Sequence, residues 1–164
     1  MDQFRRMRFL LGQDCYAISD VKRIYHREFP TSNIDQINPY TLKTLGFHVY
    51  SGYIIRNTYS SATEYFNHTL TSAPLIDGRA LDRRYYEYSA FTQEAARLKS
   101  NWEIVEFAPK QYISINRLNE NGVTVAQLKD YGTSINKFVD PGACFTVYSL
   151  RKNGYYHPLD ELGF

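Results

Sequence analysis

The sequence predicts an α+β fold, and three observations carry that reading. Apolar residues recur at spacings of three and four near the N-terminus and again around residues 62–70, as in helices that bury one face. Short β-rich runs flank tight-turn dipeptides: Phe47–Tyr50 and Tyr53–Arg56 surround Ser51-Gly52, and Phe145–Leu150 precedes Asn153-Gly154. Helices precede a hairpin signal twice, over residues 18–56 and 123–164, so the chain reads as two small, distantly related modules.

A chain of 164 residues, 43% hydrophobic and 22% charged, has enough apolar material for one or two cores, and wholesale disorder is excluded. Fifteen tyrosines, ten phenylalanines and one tryptophan supply it, and tyrosine fills apolar space while keeping its hydroxyl at a wet edge. The net charge of +2 is far below that of a dedicated nucleic-acid domain. Locally, residues 1–60 carry eight Lys/Arg against five Asp/Glu, residues 61–120 seven against eight, and residues 121–164 four against four. The excess sits at the N-terminal end.

Phe4, Met7, Leu10 and Leu11 define an opening helix that ends at Gly12 with Arg5, Arg6 and Arg8 on its wet side. Ser19 is the expected N-cap of a second helix with Val21, Ile24 and Tyr25 inward, ended by Pro30. Asn38-Pro39 starts a third: Asn caps free amides, and Pro at the first helical position gives up a donor that has no partner there. Leu42 and Leu45 point inward, Gly46 closes the helix, and Tyr40, Thr41, Lys43 and Thr44 are left for the surface.

Ser61 and Glu64 form a capping box for a helix with Tyr65, Phe66 and Leu70 inward. Residues 75–88 suit helix or strand equally, and Ser89–Lys99 is helical by propensity. Trp102–Phe107 and Tyr112–Ile115 are strand-like, interrupted by Pro109. Thr124 caps a helix with Val125 and Leu128, Asp140-Pro141-Gly142 turns, and Phe145–Leu150 is β-rich. The chain ends at Leu162-Gly163-Phe164 without a polar tail, which points to a piece of a longer polypeptide.

Shifting the sequence by 105 positions sets residues 18–50 against 123–155, pairing Ser19 with Thr124, Asp35 with Asp140, Tyr40 with Phe145 and Tyr50 with Tyr155. A shift of 117 sets Leu42, Leu45, Gly46 and Phe47 against Leu159, Leu162, Gly163 and Phe164. One conflict stands, because Tyr40 reads as helical and Phe145 as extended. Superposition of the two segments decides whether the repeat is real.

Catalytic and metal signatures are lacking. Cys15 and Cys144 are far apart, outside any C-x-x-C spacing, and read as reduced, buried structural residues. His26, His48, His68 and His157 show no H-x-x-x-H spacing, so no catalytic, metal or cofactor site is assigned. No Walker loop, G-x-G-x-x-G or G-x-S-x-G occurs. Asn67-His68-Thr69 matches the glycosylation tripeptide, which means nothing without a signal segment. No apolar run approaches the roughly 18 residues of a membrane span, so no membrane partner is expected and the expected location is cytoplasmic.

Helix, helix and hairpin over residues 18–56, and more loosely over 123–164, resemble winged helix-turn-helix modules of bacterial transcription-related proteins. The resemblance implies two small helix-turn-helix or winged-helix-like modules joined by a helical/β middle segment. The expected division is an N-terminal module at 1–72, a connecting helical segment at 73–101 and a C-terminal α+β module at 102–164. In such modules the second helix lies in the major groove and surrounding basic residues hold phosphates. Tyr40, Thr41, Lys43 and Thr44 are then the base readers, and Lys22, Arg23, Arg27 and Arg56 the phosphate contacts.

The basic cluster Arg5, Arg6 and Arg8 reads as the wet face of an amphipathic helix rather than a phosphate arm. Arg83-Arg84-Tyr85-Tyr86 reads as a mixed surface, since Asp82 and Glu87 flank it. The expected function is a non-enzymatic, DNA-binding module of a larger bacterial protein. The alternative is a protein-interaction module, since tyrosine is enriched in interface cores and some such modules have become docking domains.

Overall fold

Asp2 opens the first helix by accepting the Phe4 amide at 3.2 Å, and α1 (Gln3–Leu10) buries Met7 while Arg5, Arg8 and Phe9 stay exposed. The computed structural model describes residues 2–135, and the chain divides into two compact units, Met1–Phe66 and Asn67–Phe164. Both are mixtures of helices and antiparallel strands, an α+β arrangement.

In the first unit a short strand, β1 (Cys15–Ala17), runs straight into α2 (Ile18–Glu28). Ser19 is not the N-cap. Ala17 holds that position without a side-chain bond, and the Ile18 amide donates to the Gly52 carbonyl at 3.0 Å. The hairpin turn thus supplies the acceptor that a capping side chain supplies elsewhere. A 3-10 turn at Ile34–Gln36 leads to α3 (Pro39–Thr44), and β2 (Phe47–Val49) and β3 (Tyr53–Arg56) form the expected hairpin, with Gly52 at φ +86° in its turn.

The sheet has the order β1-β3-β2, with Cys15 opposite Ile55 and Phe47 opposite Arg56. The central strand β3 buries Ile54 and Ile55 completely, because neighbours flank it on both edges and helices cover it. Met7 and Leu11 meet Val21 and Tyr25 of α2, Leu42 and Leu45 around α3, and Phe47 and Ile54 of the sheet in one core. The Tyr25 ring is fully buried, and its hydroxyl lies 2.6 Å from Gln36 Oε1 and 2.8 Å from Gln3 Oε1.

The division falls within α4 (Ala62–Thr71), and the second unit runs from the last half of that helix through β4 (Leu75–Asp77), a 3-10 turn at Arg83–Glu87, α5 (Ser89–Ser100), β5 (Ile104–Ala108), β6 (Gln111–Ser114), α6 (Ile115–Glu120) and α7 (Val125–Ile135). Its sheet has the order β4-β6-β5. Residues 75–88, open between helix and strand by sequence, contain both. Ile115 is helical rather than extended, because Ser114 ends the strand and caps α6, its hydroxyl accepting the Arg117 amide at 3.1 Å. At the start of α7, Thr124 Oγ1 accepts the Gln127 amide at 3.2 Å and Gln127 Oε1 accepts the Thr124 amide at 2.9 Å, so the cap expected at Thr124 is reciprocal.

A similar order of elements occurs in both units: helix, strand, helical segments, strand, strand, with the last strand central in each sheet, although three helical segments (α2, the 3-10 turn and α3) lie between β1 and β2 and two (the 3-10 turn and α5) between β4 and β5. This sets α1–β3 against α4–β6, and β4 and α5, within the segment 73–101 read as a connection, belong to the second unit. The 105-residue register sets α2 against α7, each of 11 residues, in its described part. Phe145–Leu150, Asn153-Gly154, Asp140-Pro141-Gly142 and the rest of that register lie outside the described residues, as does the 117-residue match to Leu159–Phe164.

Gly78 marks the tightest point of the second unit. Its amide donates to the Lys110 carbonyl at 2.6 Å and its carbonyl accepts from Tyr86 Oη at 3.0 Å. A Cβ there would overlap the Tyr86 hydroxyl and stand 2.5 Å from the Lys110 oxygen and 2.9 Å from the Tyr112 ring. Gly78→Ala is expected to destabilise the chain by about 1–3 kcal/mol, the usual cost of overpacking, measured by urea unfolding. A variant as stable as the parent would show that the hairpin can slide away from Gly78.

Candidate nucleic-acid interface

The third helix is short and tightly capped. Asn38 Oδ1 accepts the Thr41 amide at 3.1 Å, the Asn38 amide donates to Thr41 Oγ1 at 3.0 Å, and Pro39 takes the first position. The Leu45 amide closes on the Thr41 carbonyl at 2.9 Å, and Gly46 leaves the helix at φ +101°. Leu42 and Leu45 are buried at 0% and 4% exposure, which fixes the roll of the helix and turns Tyr40 (80% exposed), Lys43 and Thr44 outward. Three of the four expected readers therefore share one face.

Thr41 is turned to the cap of the helix rather than to that face. It is half-buried and its hydroxyl, besides accepting the Asn38 amide, donates to the Gln36 carbonyl at 2.5 Å, so it closes the cap on which α3 depends. Arg56 is equally committed. Its Nε donates to Asp14 Oδ1 at 3.1 Å, its Nη2 donates to the Leu11 and Gln13 carbonyls at 2.6 and 2.8 Å, and its guanidinium lies 4.7 Å over the Phe47 ring. Three of five donors are spent inside the unit, leaving Arg56 a strut between β3 and the α1–β1 loop. Tyr59 Oη donates to the same carboxylate at 3.3 Å, and burial, then the Asp14 charge, hold that phenol above its ordinary pKa.

The cations of α2 form a separate group. Arg23 and Arg27 share the exposed face opposite Val21 and Tyr25, Arg23 pairing with Asp20 at 2.8 Å, and Lys22 is half-buried at its flank. A residue outside the expected set comes to α3 instead: Arg8 Nη2 donates to the Thr44 carbonyl at 2.9 Å. That carbonyl lies in the last turn, where helix oxygens lack partners and the dipole favours a cation. The wet face of α1 was legible in the sequence. Its abutment on the end of α3 was not, since 36 residues separate the two ends.

The two units treat charge differently. In the first, Glu28, Asp20 and Asp14 pair with Arg6, Arg23 and Arg56, which leaves Arg5, Arg8, Lys22, Arg27 and Lys43 without a carboxylate partner among the described residues. In the second, the outward cations of α5 are matched: Arg97 by Glu94 and Glu103, and Lys99 by Glu106 at 3.0 Å. Arg79, Arg84 and Arg117 pair with Asp77, Asp82 and Glu120, while Arg83, Lys110 and Lys129 have no carboxylate partner among the described residues, Lys110 Nζ lying 4.4 Å over the Tyr86 ring and Lys129 Nζ 5.9 Å over the Trp102 ring. Arg84 of the Arg-Arg-Tyr-Tyr segment is thus held by an acid, as the sequence implied.

Glu94 is the buried member of these pairs, at 3% exposure. Hydrogen bonds from Arg97 hold its carboxyl below the ordinary range against the opposing effect of burial, and Asn67 Nδ2 adds a bond at 3.1 Å. Among the described residues no three His, Cys, Asp or Glu side chains cluster so as to hold a metal, and no helix is long and apolar enough to cross a membrane. Cys15 is buried, while Cys144 and His157 lie outside the described residues. Comparison of the chain with protein-family models, with curated proteins and with solved structures finds no match.

Two outcomes test these assignments. Arg56→Met is expected to cost about 2 kcal/mol in thermal or urea unfolding, the worth of hydrogen bonds from a charged group, and to leave the salt dependence of any DNA binding unchanged. A weaker salt dependence at parental stability would return Arg56 to the interface. For Glu94 the depressed pKa means stability that is present above the unfolded carboxyl's pKa and lost as pH falls through the folded one. The urea midpoint of the parent is expected to drop more across that acidic range than that of Glu94→Gln, and parallel curves would contradict this.

Proposed function

We propose that the first unit is a winged-helix-like, non-enzymatic DNA-binding module that presents the outer face of α3 to a duplex. The observation that carries this reading is the free positive charge around α3: Lys43 on the helix and Arg8 at its C-terminal end have no carboxylate partner among the described residues. Support comes from the order of elements, in which two helical segments precede a helix and a hairpin and the last strand is central. Tyr40 and Thr44 stand beside Lys43; Tyr40 offers a ring, and Thr44, whose hydroxyl donates to the Tyr40 carbonyl at 3.1 Å, offers its oxygen as an acceptor to base edges or sugars. Lys22, Arg23 and Arg27 keep the proposed role of outlying phosphate contacts on α2.

The second unit has a similar order of elements but pairs the cations of the helix before its hairpin, so this reading assigns the electrostatic part of binding to the first unit. A DNA-bound chain releases counterions for each phosphate it neutralises, and affinity falls steeply with salt. Fluorescence anisotropy of a labelled 20-base-pair duplex is expected to show that fall, with Lys43→Glu weakening binding about tenfold or more at low salt. Binding by Lys43→Glu at parental affinity, or no binding by the parent at low salt, sinks the reading.

A protein partner is the second reading, carried by the 80% and 79% exposure of Tyr40 and Phe9, whose ring carbons gain nothing from water. It implies association that resists salt and fails in Tyr40→Ala.

A further inference from the structure

We infer that the DNA surface extends from α3 onto α1, with Arg8 and Arg5 as phosphate contacts outside the helix-and-hairpin segment. This rests on the α3 reading and enlarges the same site. The three N-terminal arginines, alike in sequence, are divided by the fold. Arg6 is spent on Glu28 at 2.9 Å and lies 5.6 Å over the Phe9 ring. Arg5 and Arg8, three positions apart, share the exposed face of α1 opposite Met7, where like charges at that spacing repel.

The bond from Arg8 to the Thr44 carbonyl orients the guanidinium without neutralising it, because the acceptor is uncharged. Four of its five donors remain for other partners. One donor fixed on α3 and the rest free places a permanent cation, preset in position, at Thr44, the residue that follows Lys43. Arg5 then prolongs the same line of charge along α1. A single small anion would engage one of these groups, whereas a ligand with charges repeated along its length can engage Arg5, Arg8 and Lys43 together, which is the property of a nucleic-acid backbone.

The test compares the full chain with Arg5→Gln/Arg8→Gln, with Lys43→Gln and with Arg83→Gln, a substitution in the second unit. Binding to the labelled 20-base-pair duplex is followed over a range of salt concentrations, with helix content checked by circular dichroism. The double variant is expected to reduce the slope of log K against log salt by about two and Lys43→Gln by about one, while Arg83→Gln leaves it unchanged. A folded double variant with the parental slope, beside a reduced slope in Lys43→Gln, overturns the extension and leaves the α3 reading standing. Absence of salt-dependent binding by the parent removes both. Should the double variant lose helix, Arg5→Gln alone carries the test: a slope reduced by about one supports the extension, and an unchanged slope overturns it.

Discussion

Tyr25 is fully buried yet carries a hydroxyl that must be bonded, and meeting that requirement brings three parts of the first unit together. The hydroxyl reaches Gln3 at the start of α1 and Gln36 in the turn before α3, while the ring packs 5.3 Å from Phe29 at the end of α2. Gln36 also supplies the carbonyl that Thr41 uses in capping α3. The entry of α3 is therefore tied to the core through one tyrosine, and its exit is tied to α1 through Arg8. A helix too short to be stable by itself holds its orientation because both ends are attached.

Much of the first unit was legible because its signals are local. Asn38-Pro39, Leu42, Leu45 and Gly46 each act within a turn of the residue concerned, and the structure places them as the pattern implied. The strand β1 left no trace, since three residues cannot display a period and Cys15–Ala17 owes its extended form to pairing with Ile55, Ile54 and Tyr53. Ser19 misled for a related reason. The acceptor that relieves the Ile18 amide comes from Gly52, far along the chain, and no local pattern encodes it.

The candidate surface was half legible. Tyr40, Lys43 and Thr44 follow from the buried leucines by helix geometry alone. Thr41 and Arg56 were assigned by residue type, and residue type does not say whether a hydroxyl or a guanidinium faces solvent or is consumed by backbone carbonyls. Arg8 shows the converse: an ordinary surface arginine by sequence, it gains its place from a contact that only the tertiary fold creates. The two units sharpen the point, because similar orders of elements carry an unpaired Lys43 on α3 in the first and the paired Arg97 and Lys99 on α5 in the second. Element order fixes where a helix sits, and the acids beside it decide what potential it presents.

The six residues of α3 carry a consequence for selectivity. At about 1.5 Å of rise per residue the helix is about 9 Å long, while base pairs stack about 3.4 Å apart, so its exposed side chains span about three steps of a duplex. A word of three base pairs recurs by chance about once in 64 positions, so such a face alone would meet acceptable sites throughout any genome. A chain that met DNA through this face would grip far better than it discriminated, and an address on DNA would have to be composed from several such short words read side by side.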